Sequence, residues 1–252
     1  MNHPSHTNGS IVNPKLPWKL PREWQQLRGS VTTSASEWRA LLARATANDP
    51  EAEWEVAERY EDGCKDKTGK IVVRRSARKA LEWLRRAAEH GCASAQNNLG
   101  LLFDEGKVLR RNRREALRWT KKAFRGGDYC AANNAAIMYR ESGRMREAVQ
   151  WFKKGVAAGD DDALIQLGVH YYWGKGAKKN PAAALRCFRK ATKAKYISEG
   201  GRDNAFFYLG IAYLEGKGVK VSRPTAKRLL ERANIDDDHP AARNALRQLL
   251  VL

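Results

Sequence analysis

The sequence predicts an all-α fold, a solenoid of about five stacked helix-turn-helix repeats with a capping helix at each end. Two recurring patterns and one constant spacing point to it. The first pattern opens on a small residue, places a Leu-like residue four later, and ends in a glycine turn. It begins at Ala52, Ala95, Ala131, Ala163 and Ala205, and its clearest copies are "ALIQLGVHYYWGKGA" and "AFFYLGIAYLEGKGV". The second pattern reads Ala80/Trp83/Ala87, Ala116/Trp119/Ala123 and Ala148/Trp151/Gly155, then more weakly Ala184/Cys187/Ala191 and Ala226/Leu229/Ala233. Steps of three and four put such residues on one helix face. Small side chains let helix backbones approach, and the bulky one fills the gap between neighbouring pairs. The spacing is the third observation: fifteen residues lead from Ala80 to Ala95, Ala116 to Ala131, Ala148 to Ala163 and Ala226 to Ala241.

Taken along the chain, residues 1–33 form an extended or partly disordered arm containing Pro4, Pro14 and Pro17. Its Trp18 and Trp24 either pack the arm on the repeats or make a short binding motif. Residues 34–49 are an amphipathic N-terminal capping helix, with Ser34 or Ser36 as N-cap and Glu37 near its start. The five repeats occupy 50–238. Repeat one has a turn longer by seven residues ("CKDKTGKIVVRRS") and repeat three one shorter by four. Length varies cheaply in turns but not where helices stack. Between Ala184 and Ala205 the spacing grows to 21, with "AKYISEGGRD" as a loop. Residues 239–252 make the C-terminal capping helix, with Pro240 in its first turn. The runs 160–162 and 236–238, all Asp, precede helices, where negative charge offsets unpaired N–H groups.

Gly174-Lys175-Gly176 has the look of a phosphate-holding loop, but no strand precedes it and no Ser or Thr follows the lysine. It is expected to be a turn, with glycine ending the first helix in a left-handed conformation.

These residues resemble the Sel-1-like repeat family, relatives of the tetratricopeptide repeats. The two segments quoted above carry the first half of its unit and "KALEWLRRAAEHG" the second. The likeness covers roughly 50–240; repeat three, "NAAIMYRESGRMREAVQWFKKG", has the shorter turn of an ordinary tetratricopeptide repeat. The resemblance implies a right-handed superhelix acting as a non-catalytic adaptor or scaffold, with a protein or peptide in its concave groove. A narrower version is a bacterial immunity protein that neutralises a cognate toxin. By analogy with the tetratricopeptide groove, the contact positions are Trp54, Glu58, Glu61 and Asp62; Asn97, Leu101, Asp104 and Glu105; and Asn133, Ile137, Arg140 and Glu141. Repeats four and five add Ile165, Val169, Tyr172 and Trp173, then Phe207, Ile211, Leu214 and Glu215. For Trp173 and Phe207, filling a gap between repeats is the competing role.

Lys and Arg outnumber Asp and Glu by 47 to 28, a net charge of +19, which draws anionic partners without deciding the fold. The second helices carry a ladder: Arg85 and Arg86, Lys121 and Lys122, Lys153 and Lys154, Arg189 and Lys190, and Arg232. It is a solvated face, a dock for an acidic protein, or a track for a phosphate backbone. No aromatic residue is interleaved in it for base stacking. The histidines (His3, His6, His90, His170, His239) stand at no defined spacing from a nucleophile or carboxylate. Cys64, Cys92, Cys130 and Cys187 include no Cys-x-x-Cys pair. No enzyme, cofactor or metal is expected. No apolar run approaches the roughly 20 residues of a membrane span, and the start of the chain lacks the pattern of a secretory signal. The expected location is the cytoplasm.

Overall fold

The computed structural model describes residues 32–235 and 239–251. Residues 1–31 of the expected N-terminal arm, including Trp18 and Trp24, and the acidic run at 236–238 lie outside them. Among the described residues there are twelve helices: α1 (Ala35–Thr46), α2 (Pro50–Asp62), α3 (Ala77–His90), α4 (Ala93–Glu105), α5 (Arg113–Arg125), α6 (Cys130–Glu141), α7 (Met145–Ala157), α8 (Asp162–Trp173), α9 (Pro181–Lys193), α10 (Glu199–Glu215), α11 (Arg223–Arg232) and α12 (Pro240–Val251). A short antiparallel hairpin, β1 (Cys64–Lys65) and β2 (Ile71–Val73), lies between α2 and α3. The chain forms two compact units, one ending at Asn134 and the other starting at Ala135.

In the first unit, Ser34 caps α1 in a full capping box: its hydroxyl accepts the Glu37 N–H while the Glu37 carboxylate accepts the Ser34 N–H. Asp49 Oδ1 accepts the N–H groups of Glu51 and Ala52 to start α2, with Pro50 at its first position. The long turn of repeat one is the hairpin, tightened by Asp66 Oδ1 accepting the Thr68 and Lys70 amides. The Thr33 amide donates to Lys65 O at 3.0 Å, so the chain entering α1 lies along β1. Leu41, Ala45, Ala52 and Val56 join α1 to α2. Ala57, Leu84, Ala87, Leu99, Leu102 and Trp119 continue the core through α2 to α5.

In the second unit Asp160 Oδ1 accepts the amides of Asp162 and Ala163 and so starts α8. Asn180 and Ser222 cap α9 and α11. The segment expected as a loop at 194–203 is half helix, because Ser198 caps α10 at Glu199. Asp161 accepts the Tyr196 amide, and Asp162 accepts the amide and hydroxyl of Ser198. At the end, His239 Nδ1 accepts the Ala242 amide, starting α12 at Pro240.

One interlock recurs in three repeats. The glycine five after the opening Ala (Gly100, Gly168, Gly210) faces the second-helix residue four after its first Ala. A Cβ at Gly100 would lie 2.5 Å from Thr120, one at Gly168 2.5 Å from Phe188 and one at Gly210 2.8 Å from Leu230. Leu84, Thr120, Phe152, Phe188 and Leu230, the five residues at that second-helix position, are all 0% exposed. In each second helix a fully buried residue therefore lies one place beyond the bulky residue singled out by the sequence pattern, and Trp119 and Trp151 are themselves buried beside it.

Candidate functional site

The expected groove positions divide by burial. In the first unit Asn97 is buried and accepts from Asn134 Nδ2 at 3.0 Å. Asp104 holds the Arg113 guanidinium at 3.2 Å. Trp54 packs half-buried against the core, Glu58, Glu61, Leu101, Glu105 and Asn133 are half-buried, and Asp62 is exposed. In the second unit Ile137, Ile165 and Tyr172 are core. Arg140 donates to Gln166 Oε1 at 2.8 Å, and Val169 packs against the core beside it. Phe207, Ile211 and Leu214 pack against the cluster that includes Ala242 and Ala245 of α12, with Phe207 5.0 Å from the His239 ring. Asn97, Ile137, Ile165 and Tyr172 therefore do not form a partner-facing surface: their side chains point into the packing between helices. Glu141, Trp173 and Glu215 are exposed.

The position ten residues after the opening Ala stands apart. It carries Asp62, Glu105, Glu141 and Glu215 in four repeats and Trp173 in the other. Trp173 is 47% exposed and meets the Tyr172 ring edge-on, with centroids 5.1 Å apart. The Tyr172 phenol donates to Glu215 Oε2 at 2.5 Å. Lys217 pairs with the same carboxylate at 2.8 Å while its ammonium lies 4.9 Å from the Trp173 ring centre. Burial, then the Glu215 carboxylate, push the Tyr172 hydroxyl far above the ordinary phenol range. Burial opposes the Glu215 charge, yet the Lys217 and Tyr172 hydrogen bonds hold that carboxyl below its usual range. The arrangement is a charged seat under a partly uncovered indole.

Gly174-Lys175-Gly176 is a turn. Both glycines have left-handed backbones (φ 73° and 75°), and the Gly174 amide closes α8 on His170 O. A side chain at Gly176 would run into the Met145 carbonyl. His170, buried under Phe152, contacts Lys175 O through Nδ1 at 2.6 Å. Burial pushes its pKa down, so the ring is neutral at pH 7 and its Nδ1–H donates to that carbonyl.

The basic ladder is partly turned inward. Arg86, Lys122 and Lys154 each lie over the tryptophan three residues before them, at 4.4, 4.6 and 4.2 Å from the centres of Trp83, Trp119 and Trp151. Stacks of this kind cover the outer face of a large ring. Arg86 also donates to Glu53, a carboxylate on α2 with no exposed side-chain surface, which contacts His90 Nδ1 at 2.7 Å. That ionic cluster escaped sequence reasoning. Arg232 lies over Phe206; Arg86 and Lys121 are half-buried, while Arg85, Lys122, Lys153, Lys154, Arg189, Lys190 and Arg232 are exposed. Burial pushes the Cys92 thiol up to about 12, and its Sγ accepts the Ala95 amide at the start of α4. Among the described residues no three His, Cys, Asp or Glu side chains group as a metal site, and no helix is long and apolar enough to cross a membrane.

The Sel1 repeat family model matches residues 50–92, 93–128, 131–160, 161–196 and 205–234. No curated protein matches the chain significantly. Among solved structures, the chain is similar to c5321, a protective antigen of uropathogenic Escherichia coli displaying an SLR fold. The identity is 27% and the TM-score 0.69, over 83% of this chain and 43% of that one. The chain thus spans less than half the length of that antigen. It shares its fold with a Sel1 repeat protein from Oxalobacter formigenes, at 23% identity and a TM-score of 0.67, over 87% of this chain and 82% of the other. With five matched repeats covering well over half its length, the chain belongs to the Sel1 repeat family, an all-α scaffold fold that generally serves protein–protein interaction.

Proposed function

We propose that the chain is a non-catalytic interaction module that captures a partner protein or peptide at the turn end of α8, with Trp173 as the anchor. The observation that carries this is the substitution of an indole for an acid at one solvent-facing repeat position. Trp173 stands where the other repeats place Asp or Glu, and it leaves 47% of its surface uncovered. Tryptophans in rigid settings are frequent binding anchors, because little side-chain freedom is lost when they are covered. The seat of Tyr172, Glu215 and Lys217 supplies that rigidity. Val221, 56% exposed, adds apolar surface on the turn that follows α10. Neutralising a toxin is a special case of this reading, distinguished only by the identity of what is captured.

The test is affinity capture from host lysate with mass spectrometry, comparing the wild type with Trp173→Ala. The expected result is loss of the specific partner with an unchanged melting temperature, since the ring is a surface group. An identical set of captured proteins would remove the anchor and the reading with it. Tyr172→Ala is a poor probe, because it empties a fully buried site.

A further inference from the structure

The outer face of α9 differs from the other basic surfaces of the chain. Between Asp162 and Glu199 the sequence holds no acidic residue. Helix α9 turns Ala183, Ala184, Leu185, Phe188 and Ala191 inward. Steps of three, one and three then place Arg186, Arg189, Lys190 and Lys193 together on the exposed side. Several cations elsewhere are paired, as in Arg44–Asp49, Arg113–Asp104, Arg118–Glu115 and Arg144–Glu147. Among the described residues these four have no carboxylate partner. In repeats one to three the second rung of the ladder lies on a tryptophan; in repeat four the matching residue is Cys187, so Lys190 is not drawn onto an indole. The four charges extend over about 10 Å of helix.

An exposed aromatic side chain follows three residues after the last of these cations. Tyr196 is 67% exposed and follows the last turn of α9, with Lys195 5.2 Å from its ring centre. Its backbone is fixed: the Tyr196 amide donates to Asp161 at 3.4 Å, and Arg202 donates to Ala194 O at 3.0 Å. An acidic protein would engage the cations and gain little from a flat ring beside them. A single-stranded nucleic acid uses both, its phosphates along the charges and a base on the ring. We propose that the exposed face of α9, with Tyr196 at its C-terminal end, binds single-stranded nucleic acid.

The experiment is fluorescence anisotropy with a labelled oligo-uridylate of about twelve nucleotides, titrated at several salt concentrations upward from about 50 mM. Four neutralised phosphates give a slope of log affinity against log salt near −3. Replacing Arg186, Arg189, Lys190 and Lys193 together by Gln is expected to weaken binding about a hundredfold at low salt and flatten that slope. Gln is a good helix former, and the positions are exposed, so α9 should persist. Independently, Tyr196→Ala is expected to weaken binding roughly tenfold and leave the slope unchanged. The control Arg114→Gln with Arg125→Gln, on α5, is expected to stay within about twofold of wild type.

Any of three results would overturn the proposal. One is no binding at about 50 mM salt. Another is equal loss from the α5 control and the α9 variant, which would assign binding to the general positive field. The third is an unaffected Tyr196→Ala variant with polyglutamate competing as well as RNA, which would make the face a dock for acidic protein.

Discussion

A methyl group added at Gly168 would lie 2.5 Å from one atom of the Phe188 ring and within 3.0 Å of two others. That ring is fully buried and has no room to swing. Gly168→Ala is therefore expected to destabilise the protein by about 1–3 kcal/mol, visible as a lower melting temperature. Gly200→Ala is the opposite case. Nothing lies within 4 Å of its added carbon, and better helix propensity in α10 should raise stability by up to about 1 kcal/mol. An unaltered Gly168→Ala would contradict the interlock, and a destabilised Gly200→Ala would contradict the open space at that position. Its small half was legible in the sequence, because Ala and Gly recur at fixed steps. Its large half was not, because Leu84, Thr120, Phe152, Phe188 and Leu230 conserve a filled space rather than a residue type. The eye goes instead to Trp83, Trp119 and Trp151, whose rings reach the margin of the core and are covered by cations. Glu53 gave no signal at all: its partners Arg86 and His90 lie on another helix.

Among the elements, α8 has a titrating group at each end. At its start, burial pushes the Asp160 carboxyl up to about 6, against the pull of two amide hydrogen bonds, with Asp162 and Asp161 adding to the rise. The folded chain then holds that proton more tightly than the unfolded one. Its contribution to stability is greatest below about 3.8 and is lost as pH rises through 6. Near the other end, burial pushes His170 down, so its contribution is present above about 6.5 and is lost as pH falls below it. Asp160→Asn keeps a capping oxygen and removes the buried charge. The variant should gain on the order of 2 kcal/mol at pH 7.5, after allowance for partial exposure, and lose the part of the pH dependence that Asp160 supplies. Urea midpoints across pH 4–8 check this; equal pH profiles for both proteins would exclude a strained Asp160.

Element boundaries were less legible than element order. Glu199-Gly200-Gly201 reads as a helix breaker, yet Gly201 is helical because the Ser198 hydroxyl accepts its N–H, and glycine fits there because a side chain would meet Asp162 and Ser198. The hairpin at 64–73 had one clue, the β-branched run Ile71-Val72-Val73. Of the groove positions counted by analogy with tetratricopeptide repeats, Asn97, Ile137, Ile165 and Tyr172 pack inward while Asp62, Glu141, Trp173 and Glu215 reach solvent, because spacing alone does not say which neighbour covers a side chain. Trp173 was legible as a candidate; its seat was not, because Glu215 and Lys217 come from the next repeat.

At the scale of the whole molecule, a net charge of +19 makes the folded chain repel itself. Added salt screens that repulsion over a Debye length of about 8–10 Å. The melting temperature is therefore expected to rise by several degrees between roughly 20 and 300 mM sodium chloride, measured by circular dichroism. A fall would mean that ion pairs such as Arg86–Glu53 outweigh the net field. The pairing of indole and cation on the second helices has a further consequence for the charges themselves. Where a tryptophan stands, the base after it rests against the ring, which holds an exposed charge in one place. Where a thiol stands instead, as at Cys187, the matching base, Lys190, has no indole to rest on. The identity of one largely covered residue thus sets how far a neighbouring charge is free to swing.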